Sequence, residues 1–247
     1  MLKSIAAATL ALLTLSQTVT AAQSEATHEE LPYMIDFSRF KASIFDYGYY
    51  EKESLVLGYY AFNYAPEMGP LFGILKRDYK IDAAIETGTF RGGTTAFFAI
   101  LFDEVHTIEI SDHLLNETRN TLKNFRNIQY HLGSSDQVLK DLLPTLKNKT
   151  LLVYLDAHWY DFWPLLDELA ALSKTHKDNC VVVIDDFKVP GRNDIPYDAY
   201  GKHECSYEYV KPLLDQLYSQ YTIHYVIPKT LACRAKLVVT PKNIVKP

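Results

Sequence analysis

Apolar residues in this 247-residue chain gather into short, mostly unbroken runs separated by segments of helical length. Five runs follow one another at Ile81–Glu86, Val105–Ile110, Ile128–Leu132, Leu151–Asp156 and Cys180–Asp185. The intervening segments predict a helix through Leu101, one from about Asp112 to Phe125, a short one around Val138–Leu142 and one begun near Pro164. Phe187 to about Glu204 reads as a long loop. A further helix follows up to about Ser219, with Pro212 as an alternative first turn. Strands that are apolar throughout are buried on both faces, so the pattern predicts an α/β protein with a mostly parallel sheet and helices on either side. Two late runs, Tyr221–Ile227 and Leu231–Thr240, have only Pro228, Lys229 and Thr230 between them. A parallel crossover needs a dozen or more residues, so these two must close the seven-stranded sheet as an antiparallel hairpin.

The first run leads into the stretch around which the chain is organised, IDAAIETGTFRGGTT from Ile81 to Thr95. It reads as buried strand, glycine turn, helix. Gly88, Gly92 and Gly93 permit close backbone approach to a ligand, and free amides at the helix start favour a polar or anionic group. The spacing differs from the Gly-x-Gly-x-x-Gly of dinucleotide binders. Further acids close the other strands: Glu109, Asp156, and Asp185 with Asp186. Ligands of open α/β sheets sit outside the carboxyl ends of the strands, so these acids converge where a ligand would lie. Glu109 stands roughly twenty residues beyond the glycine turn, where an acid accepts from ribose hydroxyls in nucleotide-binding folds. If strands four and five are neighbours in the sheet, Asp156 lies beside Asp185 and Asp186. Three crowded carboxylates call for a cation, and oxygen donors without a Cys or His cluster favour Mg²⁺ or Ca²⁺ over zinc.

On these residues the chain resembles the class I S-adenosylmethionine (SAM)-dependent methyltransferases. The Glu86-x-Gly88-x-x-x-Gly92 turn looks like their first motif, and the βα units closed by a hairpin match their Rossmann-like layout. LLVYLDAHWYDF and VVVIDDF resemble the metal site of the catechol-type O-methyltransferases, and the Glu-Thr-Gly turn is similar to that of a cephalosporin-hydroxylase-like branch. The resemblance covers Ile81 to Phe187 and, in outline, the late hairpin. It implies SAM held by Glu86, Gly88, Thr89, Gly92, Gly93, Glu109, Ser134, Ser135 and Asp156, and Mg²⁺ held by Asp156, Asp185 and Asp186. The implied reaction is metal-assisted methyl transfer to a hydroxyl of a small molecule or sugar. Catechol-type enzymes carry a Lys general base shortly after the strand-four Asp; here His158, Trp159 and Tyr160 stand in its place. His158, beside Asp156, is therefore the candidate proton acceptor. A protein of the same fold that binds a ligand or metal without methyl transfer is the alternative. A nucleotide-dependent enzyme using the fold for other chemistry, such as hydroxylation with a partner, is a third.

Residues 1–22 change the picture of where such a protein works. Lys3, the apolar stretch Ile5–Leu15 and the small-residue site Val19-Thr20-Ala21 read as a secretory signal peptide cut after Ala21 or Ala22. The stretch is short for a membrane span, and no other segment is long enough. Its removal would leave 24 Lys and Arg against 30 Asp and Glu, a net charge of −6. A mis-called start, with a cytoplasmic protein, is the alternative. Residues 23–80 form an extension before the SAM-binding domain at 81–247, rich in tyrosine and phenylalanine from Tyr33 to Tyr64. Most of these aromatics read as core packing, with a lid or a homodimer face as alternatives. Mixed charge argues against a nucleic-acid partner. Cys180, Cys205 and Cys233 have no metal-ligand spacing; Cys180 reads as core, while Cys205 and Cys233 would be free to pair in an oxidising compartment. Lys188, Arg192, Tyr200 and His203 in the long loop are candidates for substrate recognition.

Overall fold

The computed structural model describes residues 61–63, 65, 68–158, 162–227 and 234–244. The signal-like leader, the aromatic stretch before Ala61 with its lid or homodimer reading, Trp159, Tyr160 and Cys233 lie outside the described residues.

Seven strands form one sheet. Its parallel part comprises β1 (Ala83–Thr87), β2 (Val105–Glu109), β3 (Ile128–Leu132), β4 (Leu151–Leu155) and β5 (Cys180–Ile184). A hairpin of two-residue strands, β6 (Ala199–Tyr200) with β7 (His203–Glu204), rises from the long loop, and β8 (Tyr221–Val226) and β9 (Lys236–Pro241) complete the main sheet. The strand order is β3-β2-β1-β4-β5-β9-β8. Neighbours from β3 to β5 pair in parallel, and β9 runs antiparallel to both β5 and β8. The expected closing hairpin is therefore present, but its register, Val226↔Lys236, shortens β9 at its start and leaves a longer connection than three residues.

The helices are α1 (Gly69–Tyr79), α2 (Gly93–Leu101), α3 (Asp112–Thr121), α4 (Ser135–Leu142), α5 (Leu165–Thr175) and α6 (Tyr207–Leu217). α3 ends short of Phe125. Pro212 does not open α6 but sits inside it, where it forgoes the bond to the carbonyl four residues back; Ser206 caps the true start, accepting from the Tyr209 amide at 3.4 Å.

Period-two alternation divides the core into two clusters, one on each face of the sheet. Ala83 and Ile85 face α4, α5 and α6 with Leu139, Leu169, Leu172 and Leu214. Ala84 faces the other side with Leu152, Tyr154, Val183, Phe72 and Phe98. Phe62, from the end of the extension, is wholly buried in this second cluster and stacks on Phe72 at 4.6 Å. The last residues of the extension are thus built into the same core as the sheet. Among the described residues no helix is long and apolar enough to cross a membrane.

Candidate active site

The glycine turn has a steric reason. Gly88 adopts φ +84°, and a Cβ there would lie 2.7 Å from the Asp156 carbonyl oxygen, because the ends of β1 and β4 nearly touch. Gly92, at φ +75°, opens α2 where a Cβ would strike Thr118 of α3. Between them Phe90 also adopts φ +47° and leaves its ring exposed.

Glu86 points to the same face as Ala84, beneath α2. It is buried and accepts from the hydroxyls of Thr95 and Thr107, the latter at 2.7 Å. Thr89 joins the group through Thr107, 2.6 Å between hydroxyl oxygens. Burial outweighs these bonds and lifts the Glu86 carboxyl to about 7. Glu109, at the end of β2, accepts from the Phe90 amide and the Ser111 amide, both at 2.9 Å. The glycine loop and the β2 acid are therefore in contact. Ser134 precedes α4 and donates to Asp136, while the Ser135 hydroxyl is buried without a hydrogen-bond partner. Of the residues expected to hold SAM, Glu86, Gly88, Thr89, Gly92, Gly93 and Glu109 line one side of the carboxyl edge; Ser134 and Ser135 follow β3 and Asp156 follows β4.

The acids divide in a way the sequence did not reveal. Asp185 was grouped with Asp156 and Asp186, yet its carboxylate is already engaged. The register Ile184↔Leu237, carried one residue further, sets Asp185 opposite Lys236. The wholly buried Lys236 ammonium lies 2.5 Å from Asp185 Oδ1. Tyr154 donates to Asp185 Oδ2, and Asn63 reaches the same oxygen at 3.1 Å. What the structure brings together instead is Asp156, His158 and Asp186, with a potential ligand atom from each within 4.8 Å of the others. Burial and the neighbouring Asp185 and Asp186 push Asp156 well above the usual carboxylate range. Burial and Asp185 likewise raise Asp186 to about 7. Asp186 stands at φ +54°, and its Oδ1 is buried without a hydrogen-bond partner.

Three further residues had no signal at the sequence level. Asp198 in the long loop accepts from Arg234, receives the Tyr200 hydroxyl at 2.9 Å and lies 3.7 Å from His158 Nε2. Arg234 also donates to Asp186 Oδ2 at 2.7 Å. Lys236 completes the set. Asp156, Asp185, Asp186 and Asp198 thus face two cations, Arg234 and Lys236, among the described residues. The cavity among them has a volume of about 10 Å³, room for one water or ion rather than a substrate. Hard donors, surplus negative charge and an orphaned carboxylate oxygen all fit a divalent cation. Of the other loop candidates, Lys188 pairs with Glu204 and Arg192 with Asp194, both away from these acids, whereas Tyr200 packs 5.6 Å from His158. His203 stacks on Tyr209. Cys180 and Cys205 are buried free thiols.

The strand order, the antiparallel β9 and the glycine turn against Glu109 define the fold of the class I methyltransferases. No family model matches the chain, and no curated protein matches it in sequence. Solved structures do match in fold. The O-methyltransferase TomG from Streptomyces achromogenes, determined in complex with SAM, aligns at 16% identity and TM-score 0.58, over 84% of this chain and 96% of its own. An O-methyltransferase from Bacillus cereus in complex with S-adenosylhomocysteine aligns at 13% identity and TM-score 0.57, over 84% and 97%. The methyltransferase PaMTH1 of Podospora anserina, bound to S-adenosylhomocysteine, aligns at 15% and TM-score 0.51, over 88% and 100%.

Proposed function

We propose that the protein is a SAM-dependent O-methyltransferase assisted by a divalent cation, acting on a hydroxyl of a small molecule or sugar. The observation that carries this reading is the contact of the glycine loop with Glu109 beside a second, cation-seeking acid cluster on the same sheet edge. SAM would supply an activated methyl group. Glu109 would exchange its bonds to the Phe90 and Ser111 amides for ribose hydroxyls, and Gly88 keeps the backbone low enough for the methionine end to pass. Glu86 holds Thr95 and Thr107, which fixes the start of α2 against β2.

Asp156 and Asp186 would hold the cation, which supplies Lewis acidity to an acceptor hydroxyl when bound. His158 is the exposed member of the cluster, with 43% of its side chain open. Its imidazole takes the hydroxyl proton, and Asp198 lies 3.7 Å from Nε2. Lys236 and Arg234 hold Asp185, Asp186 and Asp198 in place, so that the reacting groups are positioned before the acceptor arrives. Transfer of labelled methyl from SAM to a panel of sugars and vicinal diols tests the reading. Transfer that EDTA abolishes and Mg²⁺ restores is expected; transfer indifferent to EDTA would remove the cation, and failure across the panel with no cofactor binding would remove the enzyme. Export is a separate proposal resting on residues 1–22, tested by N-terminal sequencing of the protein recovered from its source.

A further inference from the structure

Glu168 is the one acid at this site that nothing described so far uses. It lies in the first turn of α5, where a carboxylate suits the helix dipole, but its neighbour Asp167 already fills that role from an exposed position. Glu168 is 1% exposed, and neither carboxylate oxygen makes a hydrogen bond. The hydroxyls of Ser135 and Thr87 lie close enough to favour its charged form. A buried carboxyl left in this state is costly and calls for a partner. Glu168 also lines the small cavity bounded by Asp156, Asp185, Asp186 and His158. It stands outside the tight Asp156–His158–Asp186 group, so it is not a direct ligand of an ion held there. The cavity they share has room for one water or one ion.

We propose that Glu168 is a positioning residue for the cation, the inner wall of its site, whose buried carboxyl strengthens the hold of Asp156 and Asp186 on the ion. This rests on the cation part of the reading above. The carboxyl would add negative charge behind the direct ligands. Partners of this outer kind commonly alter metal affinity by about 10- to 100-fold when removed.

The test is Mn²⁺ titration of the purified protein, following the paramagnetic resonance signal of free Mn²⁺, for the wild type, Glu168→Gln and Asp156→Asn. Expected is stoichiometric binding by the wild type, loss of binding in Asp156→Asn, and affinity lowered at least about tenfold in a folded Glu168→Gln. Unchanged Mn²⁺ affinity in Glu168→Gln would overturn the inference and leave the cation reading intact. A wild type that binds no Mn²⁺, or an Asp156→Asn that binds normally, would overturn both. If the Gln variant fails to fold, wild-type crystals soaked in Mn²⁺ decide the matter. An ion seated in the cavity that Glu168 lines is expected, and an ion bound elsewhere refutes the role.

Discussion

Replacing Glu168 by Gln should make the metal-free protein relatively more stable as pH rises. The perturbation removes a buried ionisable group while keeping its shape. Burial lifts the Glu168 carboxyl from 4.5 to about 7. The sign follows from linkage: the folded state binds the proton more tightly than the unfolded state, so ionisation penalises folding. That penalty is absent below pH 4.5, grows as pH rises and saturates above pH 7. At about 1.4 kcal/mol per pH unit, it reaches about 3 kcal/mol at pH 8 and is under about 1 kcal/mol at pH 5. A buried amide without partners carries its own cost of about 1–3 kcal/mol, but that cost does not vary with pH. The comparison that matters is therefore the change between the two pH values, in which the variant gains about 2 kcal/mol on the wild type. Urea unfolding with chelator present, at pH 5 and pH 8, measures it. In heat the same gain is worth about 4–8 °C for a domain of this size. Parallel pH profiles for the two proteins would refute the reasoning, since they would mean that Glu168 finds a partner or stays charged at no cost.

Two other substitutions probe the frame of the site. Lys236→Met leaves Asp185 buried against Tyr154 and Asn63 alone, and should destabilise by about 3–5 kcal/mol; in urea unfolding, adding Asp185→Asn should restore much of the loss, and additivity of the two changes would contradict the pairing. Gly88→Ala must hold a side chain at φ +84° with its Cβ 2.7 Å from the Asp156 carbonyl. Strain and overpacking together should cost about 2–4 kcal/mol. A thermal melt within a degree or so of wild type would show that the ends of β1 and β4 can part freely.

The layout was legible in the sequence because it rests on local signals. Continuous apolar runs marked the buried strands, the glycines marked the turn after β1, and the short late connection forced an antiparallel partner. Glu86 and Glu109 stood out as candidates because a strand end and its spacing from the glycine turn are both countable. The acid cluster was less legible. Asp185 and Asp186 are adjacent, so they looked like a pair, yet adjacent residues at a strand end turn to different sides, and alternation could have separated them. Asp185 follows Val181 and Val183 onto the face where Lys236 waits, while Asp186 turns at positive φ toward Asp156 and His158. Lys236, Arg234 and Asp198 gave no signal, since their roles depend on the register of β9 and the path of a loop. Glu168 gave no signal either, since only its burial sets it apart from other acids near a helix start.

The central claim, that this sheet edge holds SAM, is tested most directly by calorimetric titration of the protein with S-adenosylhomocysteine, alongside Glu109→Ala. Micromolar binding that falls at least about tenfold in the variant is the predicted result, as expected when a charge-assisted pair of hydrogen bonds worth about 1.5–3 kcal/mol is lost. Absence of binding to the folded wild type, or equal binding by the variant, would contradict the account.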